Sequence, residues 1–352
     1  MREPQAPPST APLVTVTDVV RDFRLGERLF PGRSAAVNRA VDHVSFSVPA
    51  GSTFGLVGET GSGKTTLGRM IAGLESVTSG SIVVAGSDLA RLRRGRLRAH
   101  RRGVQMVFQD PYASLNPRMT VGDLIREPLD IHHVGSRADR DRRVAVLLNM
   151  VHLNPRSASR YPQEFSGGQR QRIAIARGLA LNPKLVVLDE PVAALDLSVR
   201  AQITNLLIEL QDSTGITYVL ISHDLLGVRH MADRVAVLYR GKLVELGPAL
   251  EVYAHPQHPY TRQLIDAIPA LGRHHTTGIV RDSQAASTPD AATETGCPFA
   301  PLCPNAQEVC RRESPALEEY PTMHNVACHF PLTPRDGDAS NARPVSSSQD
   351  AR

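Results

Sequence analysis

Apolar segments alternate with amphipathic segments from about residue 13 to residue 247, a pattern that is typical of an α/β domain. The apolar segments predict four buried strands, which are STFGLVG (52–58), VQMVFQ (104–109), KLVVLDE (184–190) and TYVLIS (217–222). The segment TTLGRMIAGL, which follows the first strand and a glycine-rich loop, predicts a helix. Apolar residues spaced i, i+3, i+4 and i+7 predict a further helix that faces the core; they are Ile203, Leu206, Leu207 and Leu210.

The pattern changes at about residue 110, where two helical patterns follow each other without any strand signal. We therefore expect a helical subdomain at about 110–180, inside a main domain that covers 13–247. A segment rich in Pro and Gly, a polar linker (276–295) and a cysteine-bearing segment come next, so we expect a small C-terminal extension at 248–332. Residues 1–12 and 333–352 are polar and lack a periodic pattern, which predicts disorder.

Composition narrows the class of protein. No stretch of the chain approaches the roughly 18 consecutive apolar residues of a membrane span, and the first residues lack the apolar centre of a signal peptide. We therefore expect a soluble, cytoplasmic protein. The net charge is +5, and seven arginines lie in RLRRGRLRAHRR (91–102). Because no aromatic residue interleaves with these arginines, we interpret them as a solvated helical connector and expect no nucleic-acid partner.

A phosphate-binding loop is the most specific signal in the chain. The segment 58–65 fits G-x-x-x-x-G-K-[ST] and lies between a predicted strand and a predicted helix, as this motif requires. Backbone N–H groups without Cβ bulk can wrap phosphate oxygens, Lys64 can reach the outer phosphates, and Thr65 can hold Mg²⁺. The residues predicted to bind the nucleotide are Gly58, Glu59, Thr60, Gly61, Ser62, Gly63, Lys64, Thr65 and Thr66.

Polar residues end three further predicted strands. Asp189 and Glu190 follow LVVL, and the carboxyl edge of a parallel sheet is where ligands bind. We expect Asp189 to meet Mg²⁺ and Glu190 to orient the attacking water as a general base. Gln109 can touch Mg²⁺ or this water, and His223 can hydrogen-bond a γ-phosphate. Each of the last two residues alone is more often an ordinary polar residue, but together at successive strand ends they indicate a site.

A second predicted helix, FSGGQRQRIAIAR (165–177), begins with two glycines, Gly167 and Gly168, and completes the pattern. We call it the signature segment. With AALD (193–196) and the polar strand ends in this order, residues 13–247 resemble an ABC-type ATPase. The resemblance implies a P-loop NTPase core and head-to-tail docking of two ATPase domains. In such a pair, the signature of one domain caps the γ-phosphate held by the other. It assigns nucleotide contacts to Phe23, which would stack on adenine, and to Ser166, Gly167, Gly168, Gln169 and Asp196. The alternative aromatic residue, Phe46, is better explained as strand core.

The resemblance narrows to the ATPase subunits of oligopeptide and dipeptide importers, specifically the second of their two paralogues. It is carried by QDPYASLNPRMTVGDLIREPL, YPQEFSGGQRQRIAIARGLALNPKL, HPYTRQLI and GCPFAPLCP. It implies an energy-coupling ATPase at the cytoplasmic face of the membrane, with ATP and Mg²⁺ as ligands. The implied partners are a second ATPase subunit (paralogous or identical), two transmembrane permease subunits and an extracytoplasmic solute-binding protein. A soluble non-transport ABC ATPase, or an importer of nickel chelates, glutathione or sugars, is the alternative. Ala193 and Thr60 depart from the family pattern, in which Ser is usual.

All four cysteines lie near the C-terminus, as Cys297, Cys303, Cys310 and Cys328. Four thiolates can hold an iron-sulfur cluster or zinc, although this spacing is not the paired C-x2-C of a zinc ribbon. Disulfides fit a cytoplasmic chain poorly, and four free thiols remain an alternative. The resemblance to peptide importers favours a [4Fe-4S] cluster over zinc.

Overall fold

The computed structural model describes residues 12–25, 36–92, 94–110, 114–193, 195–267, 295–320 and 324–332. The two predicted disordered ends lie outside these ranges, except for Pro12, and so does the predicted linker 276–295, except for Thr295.

Strands form the framework of the described residues, and we number them in chain order. They are β1 (Val14–Leu25), β2 (Ala36–Val48), β3 (Thr53–Val57), β4 (Ser79–Val84), β5 (Ser87–Asp88), β6 (Val104–Val107), β7 (Leu185–Asp189), β8 (Thr217–Ser222), β9 (Arg234–Tyr239), β10 (Lys242–Pro248), β11 (Glu318–Tyr320) and β12 (His324–Val326). The four predicted strands are thus observed as β3, β6, β7 and β8.

Helices connect these strands and are numbered in the same way. They are α1 (Lys64–Ile71), α2 (Arg94–Gly103), α3 (Val121–Ile131), α4 (Arg137–Met150), α5 (Gly167–Gly178), α6 (Leu197–Thr214), α7 (Leu225–Met231), α8 (Ala249–Ala254), α9 (Pro259–Asp266) and α10 (Glu308–Arg312). Short 3-10 helices cover Leu89–Arg91, Pro155–Ser159 and Pro162–Glu164. The predicted arginine-rich connector is observed as α2, and α3 to α5 occupy the region predicted to be helical.

A large sheet carries the candidate site. Its strand order is β11-β12-β10-β9-β3-β8-β7-β6, and the five strands β6, β7, β8, β3 and β9 run parallel. Every residue of β3, β7 and β8 is buried, as expected for central parallel strands that are covered on both faces. The phosphate loop follows β3, Glu190 follows β7 and His223 follows β8. Because these strands are parallel, their carboxyl ends lie along one edge of the sheet.

Two cores flank this large sheet. One core joins it to a smaller antiparallel sheet (β2-β1-β4-β5) and to α1, and includes the stacked rings of Phe46 and Phe54, whose centroids are 4.7 Å apart. The other core contains apolar residues of α3 to α7. The predicted stripe on α6 is buried in this second core, with Ile203 wholly inaccessible to solvent. The core position of Phe46 agrees with its interpretation as a strand residue.

The C-terminal extension is part of the large sheet. β10 spans the expected boundary at residue 247, and β12 pairs with it antiparallel, with Glu245 opposite Val326. The side chain of Glu245 is wholly buried and accepts hydrogen bonds from the N–H groups of Gln257 (2.7 Å) and His258 (3.1 Å). Its Oε1 also lies 2.6 Å from Nε2 of buried His324. One buried carboxylate on β10 thus joins two segments of the extension to the large sheet.

Candidate active site

Two glycines of the phosphate loop are required by backbone geometry. Gly58 and Gly63 have φ of 150° and 100°, a region that side chains rarely permit. A Cβ on Gly58 would lie 2.2 Å from the carbonyl oxygen of Leu238, and one on Gly63 would lie 2.2 Å from that of Ala40. Gly63 is also the N-cap of α1 and offers no capping side chain. The first N–H groups of α1 are therefore available to an anion.

Lys64 is folded against the loop that it follows. Its Nζ donates to the carbonyl oxygens of Gly58 and Glu59, at 2.7 Å each, and to Oγ of Ser62 at 3.3 Å. The side chain is buried, and burial lowers the pKa of Lys64 while the nearby carboxylates of Glu190, Asp189 and Glu59 oppose this shift. Within the described structure, the Lys64 ammonium makes no hydrogen bond to these carboxylates. A phosphate bound in the loop would give it a negative charge in direct contact.

Thr65 and Asp189 meet at the start of α1. The Thr65 hydroxyl donates to Oδ1 of Asp189 at 3.1 Å, and Asp189 is only 3% exposed. Burial is the largest influence and raises the pKa of Asp189, although the Thr65 hydrogen bond acts in the opposite direction. A hydroxyl and a carboxylate oxygen in contact form a donor set that suits Mg²⁺, so the residues present fit this ion.

Glu190 lies at the centre of the polar strand ends. Its Oε2 accepts a 2.7 Å hydrogen bond from Nε2 of Gln109, and its Oε1 lies 3.2 Å from Nδ1 of His223. Its backbone has φ of 46°, and its N–H donates to the carbonyl oxygen of Ile221 at 2.9 Å. The structure therefore brings together the three residues that the sequence predicts to be catalytic.

The signature segment begins α5 with a reciprocal cap. Oγ of Ser166 accepts from the N–H of Gln169 at 3.4 Å, and Oε1 of Gln169 accepts from the N–H of Ser166 at 3.1 Å. A Cβ on Gly168 would lie 2.4 Å from Cγ1 of Val199, whereas one on Gly167 would meet its nearest neighbour at 3.5 Å. The sequence analysis attributed both glycines to anion binding. The structure adds a second cause at Gly168, which is close packing against α6.

The loop before α6 is held by an arginine. Arg200 donates from Nε to the carbonyl oxygen of Leu195 at 2.7 Å and from Nη2 to that of Ala193 at 3.1 Å. Asp196 is the N-cap of α6 and has extended backbone angles, without a capping bond from its side chain. The backbone at Ala193 is thus fixed although the usual Ser hydroxyl is missing.

Phe23 lies on β1, opposite Asn38 of β2, and is half-buried. The guanidinium of Arg21 stacks 4.6 Å above the ring centroid and is itself held by Glu75 at 2.7 Å. One face of the ring is therefore covered. No hydrogen bond or ring contact in the described part of the chain joins Phe23 to the phosphate loop.

The four cysteines line one small cavity. They are unpaired, and the cavity is closed by apolar and aromatic side chains that include His258, Phe299 and Phe330. Burial raises the pKa of Cys297 and Cys303, and that of Cys328 to about 11. Within the ranges that the structure describes, no three His, Cys, Asp or Glu side chains form a group that could hold a metal ion. The four thiols therefore line a shared cavity without forming such a group among the described residues.

Two features of the site were missed by sequence reasoning. The first is Tyr260 of α9, whose hydroxyl accepts a 2.9 Å hydrogen bond from the N–H of Glu59 in the phosphate loop. The only sequence signal was the segment HPYTRQLI, which indicated family but no role.

The second feature is a surface groove of about 270 Å³ between β6, α3 and α5. Its wall includes large exposed apolar side chains, Leu74, Phe108 and Ile131, and it also carries Arg101 and Glu127. Phe108 immediately precedes Gln109, so the groove is adjacent in the chain to the residue that contacts Glu190.

Two family models and several known proteins match this chain. The family model described as "ABC transporter" matches residues 41–193, and the one described as "Oligopeptide/dipeptide transporter, C-terminal region" matches residues 244–310. A putative peptide import ATP-binding protein of Brucella abortus is 49% identical over 320 residues, which cover 90% of this chain and 94% of the relative. The oligopeptide transport ATP-binding protein AppF of Bacillus subtilis is 44% identical, with 90% and 97% covered.

Solved structures agree with these matches. A dimeric ATP-binding cassette in a post-hydrolysis state, bound to ADP and Pi, has a TM-score of 0.60 and 30% identity, and the match covers 67% of this chain and 98% of that one. None of the helices within the described ranges is long and apolar enough to cross a membrane. The two family models and the relatives together show that the chain belongs to the ATP-binding proteins of the oligopeptide/dipeptide ABC transporter family.

Proposed function

We propose that this chain is the ATP-hydrolysing, energy-coupling subunit of an ABC importer for peptides. The observation that carries the proposal is the contact of Glu190 with Gln109 and His223, at the same sheet edge as the phosphate loop. The names of the relatives, which are peptide import and oligopeptide transport ATP-binding proteins, support the substrate class. An importer of this kind receives its peptide from an extracytoplasmic solute-binding protein.

We assign the steps of hydrolysis to the residues in contact at the site. The loop 58–66 binds the phosphates, with Lys64 turning its ammonium from the loop carbonyls to the outer phosphates. Thr65, Asp189 and Gln109 would hold Mg²⁺, which neutralises charge on the phosphate oxygens when bound. Glu190 orients the attacking water and accepts its proton, and His223 contacts the γ-phosphate. Phe23 would offer adenine the ring face opposite Arg21.

We infer that two ATPase subunits dock head to tail and that the second is a paralogue or another copy of this chain. Ser166, Gly167, Gly168, Gln169 and Asp196 would then contact the nucleotide on the partner. The bare start of α5 supports this inference, because an N-terminal helix turn with little side-chain bulk suits a phosphate group. In this scheme residues 13–247 form the ATPase domain, with the helical subdomain at 110–180, and residues 248–332 form the extension.

We further propose that the groove beside β6 receives a helix from one of the two membrane-embedded permease subunits. Exposed Leu74, Phe108 and Ile131 give the groove an apolar wall that an apolar helix face would cover. A helix that shifts Phe108 would act on Gln109 and hence on Glu190, which provides a route from the membrane to the nucleotide. The chain would accordingly lie at the cytoplasmic face of the membrane as a peripheral subunit.

Co-purification tests this function. The tagged full-length chain should co-purify with two multi-span membrane proteins, and the complex should hydrolyse ATP in step with peptide uptake. Leu74→Glu should abolish co-purification, because a carboxylate would enter the apolar groove. Leu250→Glu is the matched control, since Leu250 is an exposed leucine on α8, outside the groove. Co-purification with ribosomes or DNA instead would favour a non-transport ABC ATPase.

For the cysteine cavity we propose a [4Fe-4S] cluster held by Cys297, Cys303, Cys310 and Cys328. Four free thiols around one small cavity supply the four thiolate ligands that such a cluster takes. Anaerobic purification should give about four iron and four sulfide per chain, with visible charge-transfer absorption. Stoichiometric zinc without iron would replace this assignment, and the absence of both metals, with thiols open to alkylation, would refute it.

A further inference from the structure

The backbone of Glu59 is held through both its N–H and its carbonyl group. Its N–H donates to the hydroxyl of Tyr260 at 2.9 Å, and the carbonyl oxygen of Glu59 accepts from Nζ of Lys64 at 2.7 Å. The same carbonyl accepts from the N–H of Ser62 at 3.2 Å. The phosphate loop is therefore fixed at its second residue by a group that comes from the C-terminal extension.

Tyr260 is itself placed by its surroundings. It is 1% exposed, and its ring packs against Tyr239, at a centroid distance of 4.6 Å, and against Phe299, at 5.5 Å. Tyr239 is the last residue of β9 in the central sheet, whereas Phe299 lies beside the cysteine cavity. The ring is thus held between the ATPase core and the extension, which leaves its hydroxyl little freedom to move away from the loop.

The backbone near Tyr260 adds a further restraint. The N–H of Tyr260 donates to Nδ1 of His258 at 3.1 Å, which caps the start of α9. The N–H of His258 in turn donates to the buried carboxylate of Glu245 on β10. A continuous set of hydrogen bonds therefore runs from the sheet through the start of α9 to the phosphate loop.

We propose that Tyr260 is a positioning residue through which the C-terminal extension holds the phosphate loop in its nucleotide-binding conformation. The proposal deepens the ATP-binding function proposed above and rests on it. Because Tyr260→Phe removes this partly buried hydrogen bond and leaves the Glu59 N–H without that acceptor, it should weaken Mg·ATP binding about fivefold to tenfold. The chemical step uses Glu190 and not Tyr260, so KM for ATP should rise while kcat stays within about twofold.

Calorimetric titration of the full-length chain with Mg·ATP provides the test. Tyr218→Phe is the matched control, since Tyr218 is also 1% exposed and its hydroxyl has no hydrogen-bond partner in the described structure. This control should keep the wild-type Kd. Phe299→Leu loosens the ring contact from the side of the extension, and it should weaken binding in the wild-type chain but add little to Tyr260→Phe.

The outcomes separate this proposal from the function on which it rests. Lack of Mg·ATP binding by the wild-type chain, or unimpaired binding by Lys64→Ala, would overturn the proposed function. If the wild-type chain binds, a Kd of Tyr260→Phe within about twofold of wild type would overturn the role of Tyr260 alone. Equal losses in Tyr260→Phe and Tyr218→Phe would do the same, and full additivity with Phe299→Leu would overturn the part played by the extension.

Discussion

Substitution of Glu190 by Gln tests the assignment of the general base with little change in shape. Both carboxylate oxygens are engaged, Oε2 with Gln109 at 2.7 Å and Oε1 with His223 at 3.2 Å. An amide of the same shape can still accept one of these contacts, but it cannot take a proton from water. Positioned general bases contribute roughly 10² to 10⁴ in rate, so the barrier should rise by about 3 to 5 kcal/mol.

Binding of ATP should survive this substitution. Nζ of Lys64 contacts Gly58, Glu59 and Ser62 and makes no hydrogen bond to Glu190, so the loop keeps its shape. The Glu190 charge does favour the protonated form of Lys64. Its loss therefore lowers the pKa of Lys64 further but leaves the hydrogen bonds that hold Lys64 in the loop intact. Slow hydrolysis with intact binding should leave ATP holding a closed ATPase dimer.

Phosphate release by the assembled complex at saturating Mg·ATP measures the rate, and size-exclusion chromatography with ATP detects the trapped dimer. Glu209→Gln is the matched control because Glu209 also pairs with a histidine, His152 at 3.3 Å, on the exposed surface of α6. This control should keep full activity. Wild-type turnover by Glu190→Gln would show that the contact with Gln109 and His223 is not the hydrolytic centre.

Three further predictions concern the signature, the start of α9 and the buried carboxylate. Ser166→Ala should leave ATP affinity of the isolated subunit unchanged but lower hydrolysis in the complex. Each of Ser166→Ala and Ser136→Ala removes the N-cap of a helix, α5 or α4, and should lower the free energy of unfolding by about 1 kcal/mol. Ser136→Ala should keep normal hydrolysis. Burial lowers the pKa of His258 to about 4, so the unfolded chain binds the proton more readily and stability should fall by up to about 3 kcal/mol from pH 6.5 to 4. Urea titrations across this range should show a smaller fall in His258→Asn. Glu245→Ala should destabilise the fold by about 3 to 5 kcal/mol, because it leaves His324 and two N–H groups buried without their acceptor, and an unchanged urea midpoint would contradict this role.

The central strands and the polar residues at their ends could be predicted because local rules specify them. Continuous apolar segments identify β3, β7 and β8, and a parallel sheet brings their carboxyl ends to one edge. The contact of Glu190 with Gln109 and His223 follows from this geometry, although the distances do not. The phosphate loop could be predicted equally well, because its backbone angles require glycines and these glycines are visible as a motif in the sequence.

Contacts that depend on packing between distant segments could not be predicted. Tyr260 and Glu59 are 201 residues apart, and Glu245 and His324 are 79 residues apart. Neither pair follows from periodicity, because a hydroxyl or a carboxylate inside an apolar segment does not indicate which backbone group it will meet. Gly168 shows a related limit, since the bare position suggested an anion while its contact with Val199 arises only when α5 packs on α6.

Backbone strain separates the roles of the two adjacent carboxylates at the end of β7. Asp189 still belongs to the strand, and its 3%-exposed side chain accepts from Thr65. Glu190 leaves the strand with φ of 46°, a conformation that costs a residue with a side chain on the order of 1 to 3 kcal/mol. The hydrogen bond from its N–H to Ile221 on β8 holds this conformation. An extended residue would continue the strand, whereas the observed turn places the Glu190 carboxylate between Gln109 and His223. The turn therefore points the two neighbouring carboxylates in different directions, Asp189 to Thr65 and Glu190 to Gln109 and His223, as their proposed roles of cation ligand and general base require.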